Sequence, residues 1–287
     1  MIARLAYFRT SEARKRRLLC DNGERIRTPR KARERNMIQY GHFIGGKAVA
    51  GKSGRTAEVF QPMDGTVRAH VALASASEVR AAVESAKAAQ PAWGATNPQR
   101  RARVMMKFYD LIVRNTDEMA DVLAREHGKT LTDARGDIQR GIEVLEFSFG
   151  IPHLMKGEYS DGVGPGIDTY SMRQPLGVVA GITPFNFPAM IPLWKLSPAI
   201  ACGNAFILKP SERDPGVPMR LAELFVEAGG PPGILNVVNG DKEAVDAILD
   251  DPDISAIGFV GSTPIAQYIY SRGTASGKRV HCFGGAK

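Results

Sequence analysis

Apolar positions along this chain repeat with two different periods, and the switch between them divides the sequence. From His42 to Ser75 the text HFIGGKAVAGKSGRTAEVFQPMDGTVRAHVALAS carries short β-type runs broken by Gly-Gly, Asp-Gly and Pro, which predicts hairpin-like strands. Ser75 followed by Glu78 forms a capping box, after which Val79, Ala82, Val83, Ala86 and Ala89 recur at helical spacing. Pro91 is expected to end that helix near Trp93. Asn97-Pro98 opens a second helical pattern, with Val104, Phe108, Leu111 and Ile112 on one face. A third begins at Thr116 (Met119, Val122, Leu123) and stops before Gly128, and a fourth carries Ile138, Ile142, Leu145 and Phe149 as one apolar stripe.

After Gly150 strand and helix alternate. The runs GVVAGIT (177–183), AFILKPS (205–211), ILNVVNG (234–240) and AIGFVGS (256–262) are short and β-branched, with helical patterns at 190–202, 217–228, 242–250 and 264–272. Near-continuous apolar strands alternating with helices predict an α/β fold, a Rossmann-like parallel sheet with helices on both faces. Ligands of such sheets bind at the carboxyl ends of the strands, so the residues just after each run carry the chemistry.

The first strand end reads Thr183-Pro184-Phe185-Asn186-Phe187-Pro188, where two prolines stiffen the turn around an amide able to donate to a developing oxyanion. An ordinary Asx-turn explains the same residues. The second gives Lys209 and Glu212, a pair suited to ribose hydroxyls or equally to a solvated turn. A carboxylate there repels a ribose 2′-phosphate and so favours NAD over NADP. The fourth gives Gly261-Ser262-Thr263-Pro264, a helix entrance whose amides suit a pyrophosphate, or simply a capped helix. No GxGxxG follows any strand, and Gly162-Val163-Gly164-Pro165-Gly166 reads as a loop.

Composition narrows the function classes. The 287 residues are 44% hydrophobic and 24% charged, a globular balance, and no apolar run reaches the ~18 residues of a membrane helix. The net charge of +8 sits in residues 1–36, which hold twelve Lys+Arg against four Asp+Glu; the remainder is balanced. This front segment lacks an apolar period after Leu19 and is expected to be disordered. A transit peptide, a nucleic-acid arm and mis-assigned upstream codons with Met37 as the true start all explain it, and the last is favoured. Cys20, Cys202 and Cys282 form no CxxC pair or disulfide framework, pointing to a reducing, cytoplasmic setting, or a mitochondrial one if the leader is genuine. The histidines lack metal-ligand spacing, so no metal is assigned.

Taken in order, GVVAGITPFNFP, ACGNAFILKPSE, AGGPPGILNVVNG, IGFVGST and FGGAK resemble the NAD-dependent aldehyde dehydrogenase superfamily from about Tyr40 onward. PFNFP, FILKPSER, RGIE (140–143) and GAK resemble most the CoA-acylating methylmalonate-semialdehyde dehydrogenases. The resemblance implies an NAD-binding domain over 37–287, truncated before a catalytic domain, and oxidation of methylmalonate or malonate semialdehyde to an acyl-CoA by the complete enzyme, expected to be a homo-oligomer. It makes Asn186 the oxyanion amide, Phe185, Lys209, Glu212, Gly240, Gly261 and Ser262 cofactor-binding, and Arg140 the ligand of the substrate carboxylate. Arg140 lies about 200° around its helix from Ile138 and Ile142, off the core face.

Two departures bear on mechanism. Phe283 stands where hydrolytic relatives place the Glu that activates water, which favours acyl transfer to coenzyme A. The family's catalytic cysteine falls beyond Lys287, and none of the three thiols replaces it: Cys20 is in the tail, Cys202 reads as a core thiol, and Cys282 and His281 point to opposite strand faces. The chain by itself is therefore expected to be inactive. A non-catalytic dinucleotide-binding or dimerising module is the rival reading.

Overall fold

The computed structural model describes residues 37–285, so the expectations for residues 1–36 lie outside the described residues. Five short strands come first: β1 (Ile38–Tyr40), β2 (His42–Ile44), β3 (Lys47–Val49), β4 (Thr56–Gln61) and β5 (Thr66–Ala72). Gly45 and Gly46, at φ of 63° and 81°, supply the left-handed backbone that turns β2 into β3. The hairpins are not one unit. β4 and β5 form a small sheet with β1, whereas β2 and β3 extend the main sheet.

Four helices follow: α1 (Ala76–Ala95), α2 (Pro98–Arg114), α3 (Thr116–His127) and α4 (Leu131–Phe147). Their starts match the sequence signals. Glu78 accepts from the Ser75 amide at 2.9 Å, and Asn97 accepts from the Gln99 amide at 2.9 Å. Gly128, at φ 87°, closes α3. Pro91 does not end α1, which continues through it to Ala95. A proline costs one helical hydrogen bond, but tertiary bonds hold the last turn here. The Trp93 indole donates to the Ile200 carbonyl at 2.9 Å, the Gln90 amide to that of Gly203 at 3.1 Å, and the buried Arg101 guanidinium to the carbonyls of Gly94 and Thr96.

After the one-turn α5 (Ile151–Leu154), the Gly162–Gly166 segment belongs to an antiparallel hairpin, β6 (Tyr159–Gly164) and β7 (Ile167–Tyr170), not to a loop. Asp168 explains it, accepting from the Gly162 amide at 2.9 Å and from the Tyr159 hydroxyl at 2.8 Å. The alternating half then runs β8 (Val178–Ile182), α6 (Met190–Ala201), β9 (Ala205–Lys209), α7 (Gly216–Glu227), β10 (Leu235–Val237), α8 (Lys242–Asp250), β11 (Ile254–Val260), α9 (Thr263–Ala275) and β12 (Arg279–Phe283).

The main sheet has the order β12-β11-β8-β9-β10-β2-β3, with the first five strands parallel and the last two antiparallel additions. Helices α1, α8 and α9 pack on one face, and α6 and α7, backed by α2 to α4, on the other. β8 and β9 are buried along their whole length, as their unbroken apolar sequences require. No helix among the described residues is long and apolar enough to cross a membrane.

Candidate functional site

The carboxyl ends of β8, β9 and β11 converge on a cleft of about 310 Å³. Phe185 and Asn186 enter it from the β8 end, Lys209 and Glu212 from β9, and Gly261 and Ser262 from β11. Six of the eight residues singled out in the sequence thus meet in one place. Gly240 lies beyond β10 outside the cleft lining, and Arg140 is exposed on α4, its carbonyl accepting from the Trp194 indole at 3.0 Å.

A second layer holds the Asn186 turn. Lys129, just past α3, donates to the Asn186 carbonyl at 3.0 Å and pairs with Asp137 of α4 at 3.0 Å. The other oxygen of Asp137 accepts from the Met190 amide at 2.8 Å. Burial raises the Asp137 carboxyl above the ordinary carboxylate range, while Lys129 works in the opposite direction. The backbone is therefore pinned while the side chain stays free: Asn186 Oδ1 is buried with no hydrogen-bond partner, as is Thr183 Oγ1 beside it. Phe185 lies between His127, whose ring stacks at 6.0 Å, and the Arg213 guanidinium at 5.0 Å.

Lys209 is 6% exposed, and burial lowers its ammonium pKa. Its Nζ lies 3.6 Å from Glu212 Oε2, and its carbonyl accepts from the Thr183 amide at 3.1 Å, locking the β8 and β9 ends together. Gly261 is required by space, since a Cβ there would come within 2.2 Å of the Phe259 ring. Ser262 is the N-cap of α9, but its side chain makes no capping hydrogen bond and the first turn contains no acidic residue. The positive end of that helix is left open to an anion.

Among the described residues no group of three or more His, Cys, Asp or Glu is placed to hold a metal ion. Cys202 and Cys282 are half-buried, lie outside the cleft lining, and have thiols pushed up by burial.

The aldehyde dehydrogenase family model matches residues 48–287. The chain belongs to the aldehyde dehydrogenase family. A malonate-semialdehyde dehydrogenase of Pseudomonas aeruginosa is 55% identical over 246 residues, which are 86% of this chain and 49% of that protein. The acylating, mitochondrial methylmalonate-semialdehyde dehydrogenase of Arabidopsis thaliana is 50% identical over 86% of this chain and 40% of its own length. A crystal structure assigned to a methylmalonate-semialdehyde dehydrogenase of Sinorhizobium meliloti, complexed with NAD, superposes with a TM-score of 0.86 at 67% identity. It covers 88% of this chain and 51% of the other. The chain spans about half the length of the curated relatives it matches.

Within this member of the aldehyde dehydrogenase family, sequence reasoning missed Lys129 and Asp137. Asp137 left a signal, a carboxylate next to Ile138 at the edge of an apolar stripe, but its partner Met190 could not be read from the sequence.

Proposed function

We propose that this aldehyde dehydrogenase chain holds NAD in the β8–β9–β11 cleft and stabilises the oxyanion of an aldehyde under attack, as part of a malonate- or methylmalonate-semialdehyde dehydrogenase. The observation that carries this reading is the convergence of Asn186, Lys209, Glu212, Gly261 and Ser262 on one cleft, from three strand ends far apart in sequence.

The residues fit a dinucleotide. Lys209 presents a nearly buried ammonium beside Glu212, a donor–acceptor pair for vicinal ribose hydroxyls. The uncapped start of α9 offers amide N–H groups to a pyrophosphate. The unpartnered Thr183 hydroxyl and Asn186 Oδ1 supply polar contacts at the same mouth. Glu212 opposes a 2′-phosphate, which makes NAD the preferred form. Bound NAD would supply the hydride acceptor.

Asn186 acts at the reacting carbonyl. Lys129 and the flanking prolines fix its backbone, so its carboxamide N–H can meet the negative charge that develops when a thiolate adds to an aldehyde, with little reorganisation. Phe283 carries no group able to activate water, which favours release of the acyl group to the thiol of coenzyme A. Arg140, exposed and off the core face of α4, is free to meet the carboxylate of a semialdehyde acid. The names and NAD complex of the relatives support the same reading.

Calorimetric titration of the 287-residue chain with NAD and with NADP tests the proposal. Saturable NAD uptake, weakened by Lys209→Met and by Glu212→Ala, is the expected result. No uptake by material that melts cooperatively would overturn it.

A further inference from the structure

The turn that carries Lys209 and Glu212 into the cleft ends on a carboxyl with no partner. Asp214, two residues past Glu212, is 2% exposed, and neither of its oxygens receives a hydrogen bond from any group among the described residues. The groups around it have committed their donors elsewhere. Lys129 holds Asp137 and the Asn186 carbonyl. Lys209 faces Glu212, and the Arg213 guanidinium lies over the Phe185 ring. Glu126, itself buried, accepts from the Tyr40 hydroxyl at 2.7 Å and from the Gly216 amide at 2.9 Å, with Arg68 Nε 4.0 Å away.

Each of the other three acids has a base, and Asp214 has none. Lys129 pairs with Asp137, Lys209 with Glu212, and Arg68 stands beside Glu126. The Asp214 carboxyl meets all three acids: Glu126 from α3, Asp137 from α4 and Glu212 from its own turn. Against them it has the attraction of Lys129 and, from β9, of Lys209. Burial and the neighbouring carboxylates push its pKa well above the ordinary carboxylate range. A proton removes the charge and gives the group a donor among neighbours rich in acceptor lone pairs.

Packing sets the direction in which the turn yields when that proton leaves. On the α3 side there is no room: a Cβ on Gly216, the first residue of α7, would stand 2.6 Å from Val122 and 2.7 Å from Glu126 Oε1. Toward the cleft the turn is held lightly, by the Ser211 hydroxyl oxygen that accepts from the Arg213 amide at 3.1 Å. We propose that Asp214 is a positioning residue that seats Lys209 and Glu212 for the dinucleotide as a neutral carboxylic acid, and that its ionisation unseats the turn and weakens NAD binding. The proposal rests on the cofactor reading of the cleft. The folded chain keeps this proton to higher pH than the unfolded chain does. The contribution of Asp214 to stability is therefore full below the ordinary carboxylate range and is lost as pH rises through the folded value.

The test compares the 287-residue chain with Asp214→Asn and the smaller Asp214→Thr, which replace the acid by neutral polar groups. Hydrogen exchange of residues 209–216, followed by mass spectrometry without cofactor from about pH 5.5 to 8.5, reads the turn alone. After correction for intrinsic exchange, wild-type protection should fall ~5-fold or more across that range while the neutral variants stay level. NAD titrations over the same range read the consequence. The wild-type Kd should rise ~5-fold or more relative to that of Asp214→Asn, since both chains share the titration of Lys209. Parallel exchange profiles, or a Kd ratio that does not change with pH, would overturn the proposal. Both series are run in choline chloride and repeated in potassium chloride; a contrast that potassium abolishes assigns the charge balance to a bound cation and overturns it too. The exchange arm uses no cofactor, so a failure of NAD binding is not mistaken for a failure of Asp214.

Discussion

Lys129 Nζ donates to the main-chain oxygen of Asn186 at 3.0 Å while holding Asp137 at the same distance, so one ammonium ties the β8 turn to α4. The side chain of Asp137 is wholly buried and that of Lys129 is 11% exposed. Lys129→Met strands a buried carboxyl and frees the turn. The expected loss is about 2–4 kcal/mol of unfolding free energy, read from urea denaturation. Lys129→Met combined with Asp137→Asn should recover part of it, because no buried charge then lacks a partner.

Glu212 is expected to set cofactor choice through its charge. Glu212→Gln keeps an acceptor but removes the repulsion of a 2′-phosphate. The ratio of NADP to NAD dissociation constants should fall roughly tenfold, about 1.4 kcal/mol, with NAD affinity weakened less than in Glu212→Ala. Titration of both variants against both cofactors measures the ratio directly.

Gly261 tolerates no side chain. Gly261→Ala would press a methyl group into the Phe259 ring at the strand end that feeds α9. A loss of about 1–3 kcal/mol is expected, from thermal or urea melts, together with weaker NAD binding as the α9 entrance shifts.

His42 gives the stability a pH dependence. Its Nδ1 accepts from the Asn239 amide at 3.2 Å, which requires an unprotonated nitrogen, and its Nε2 lies 3.3 Å from Glu78. Burial, partly opposed by Glu78, lowers its pKa below the ordinary 6.5. The unfolded chain therefore takes up a proton before the folded chain does. The contribution of His42 is full above about pH 6.5 and is lost as pH falls below it. His42→Gln should be less stable near neutrality but show a shallower decline between about pH 7 and 5.5, measured by urea midpoints.

Pro91 offers the opposite sign. It is exposed inside α1, and the last turn is held by Trp93 and Gln90, not by the proline. Pro91→Ala restores a backbone donor and should stabilise the chain by about 1–3 kcal/mol in the same denaturation assay.

Periodicity made the alternating half readable: unbroken apolar strands, capped helices and the loops between them fell within a few residues of their true bounds. Local sequence likewise singled out Asn186, Lys209, Glu212 and Gly261 as candidates, because each stands at or within a few residues of a strand end. What escaped depends on contacts between distant segments. Trp93 and Arg101 overrule the local effect of Pro91, and Asp168 folds Gly162–Gly166 into a hairpin. Gly181 stands beside Gly258 only because β8 and β11 pair in that register, which no single strand encodes.

The seating of β2 against β10 bears on the order of assembly. His42 and Asn239 are bonded across 197 positions of chain, and Phe43 is paired with Val237. During synthesis the N-terminal ribbon must wait, with Phe43 uncovered, until β10 has left the ribosome. Such distant closure slows the search for the native state and lengthens the interval in which that strand is open to chaperones or to misassembly.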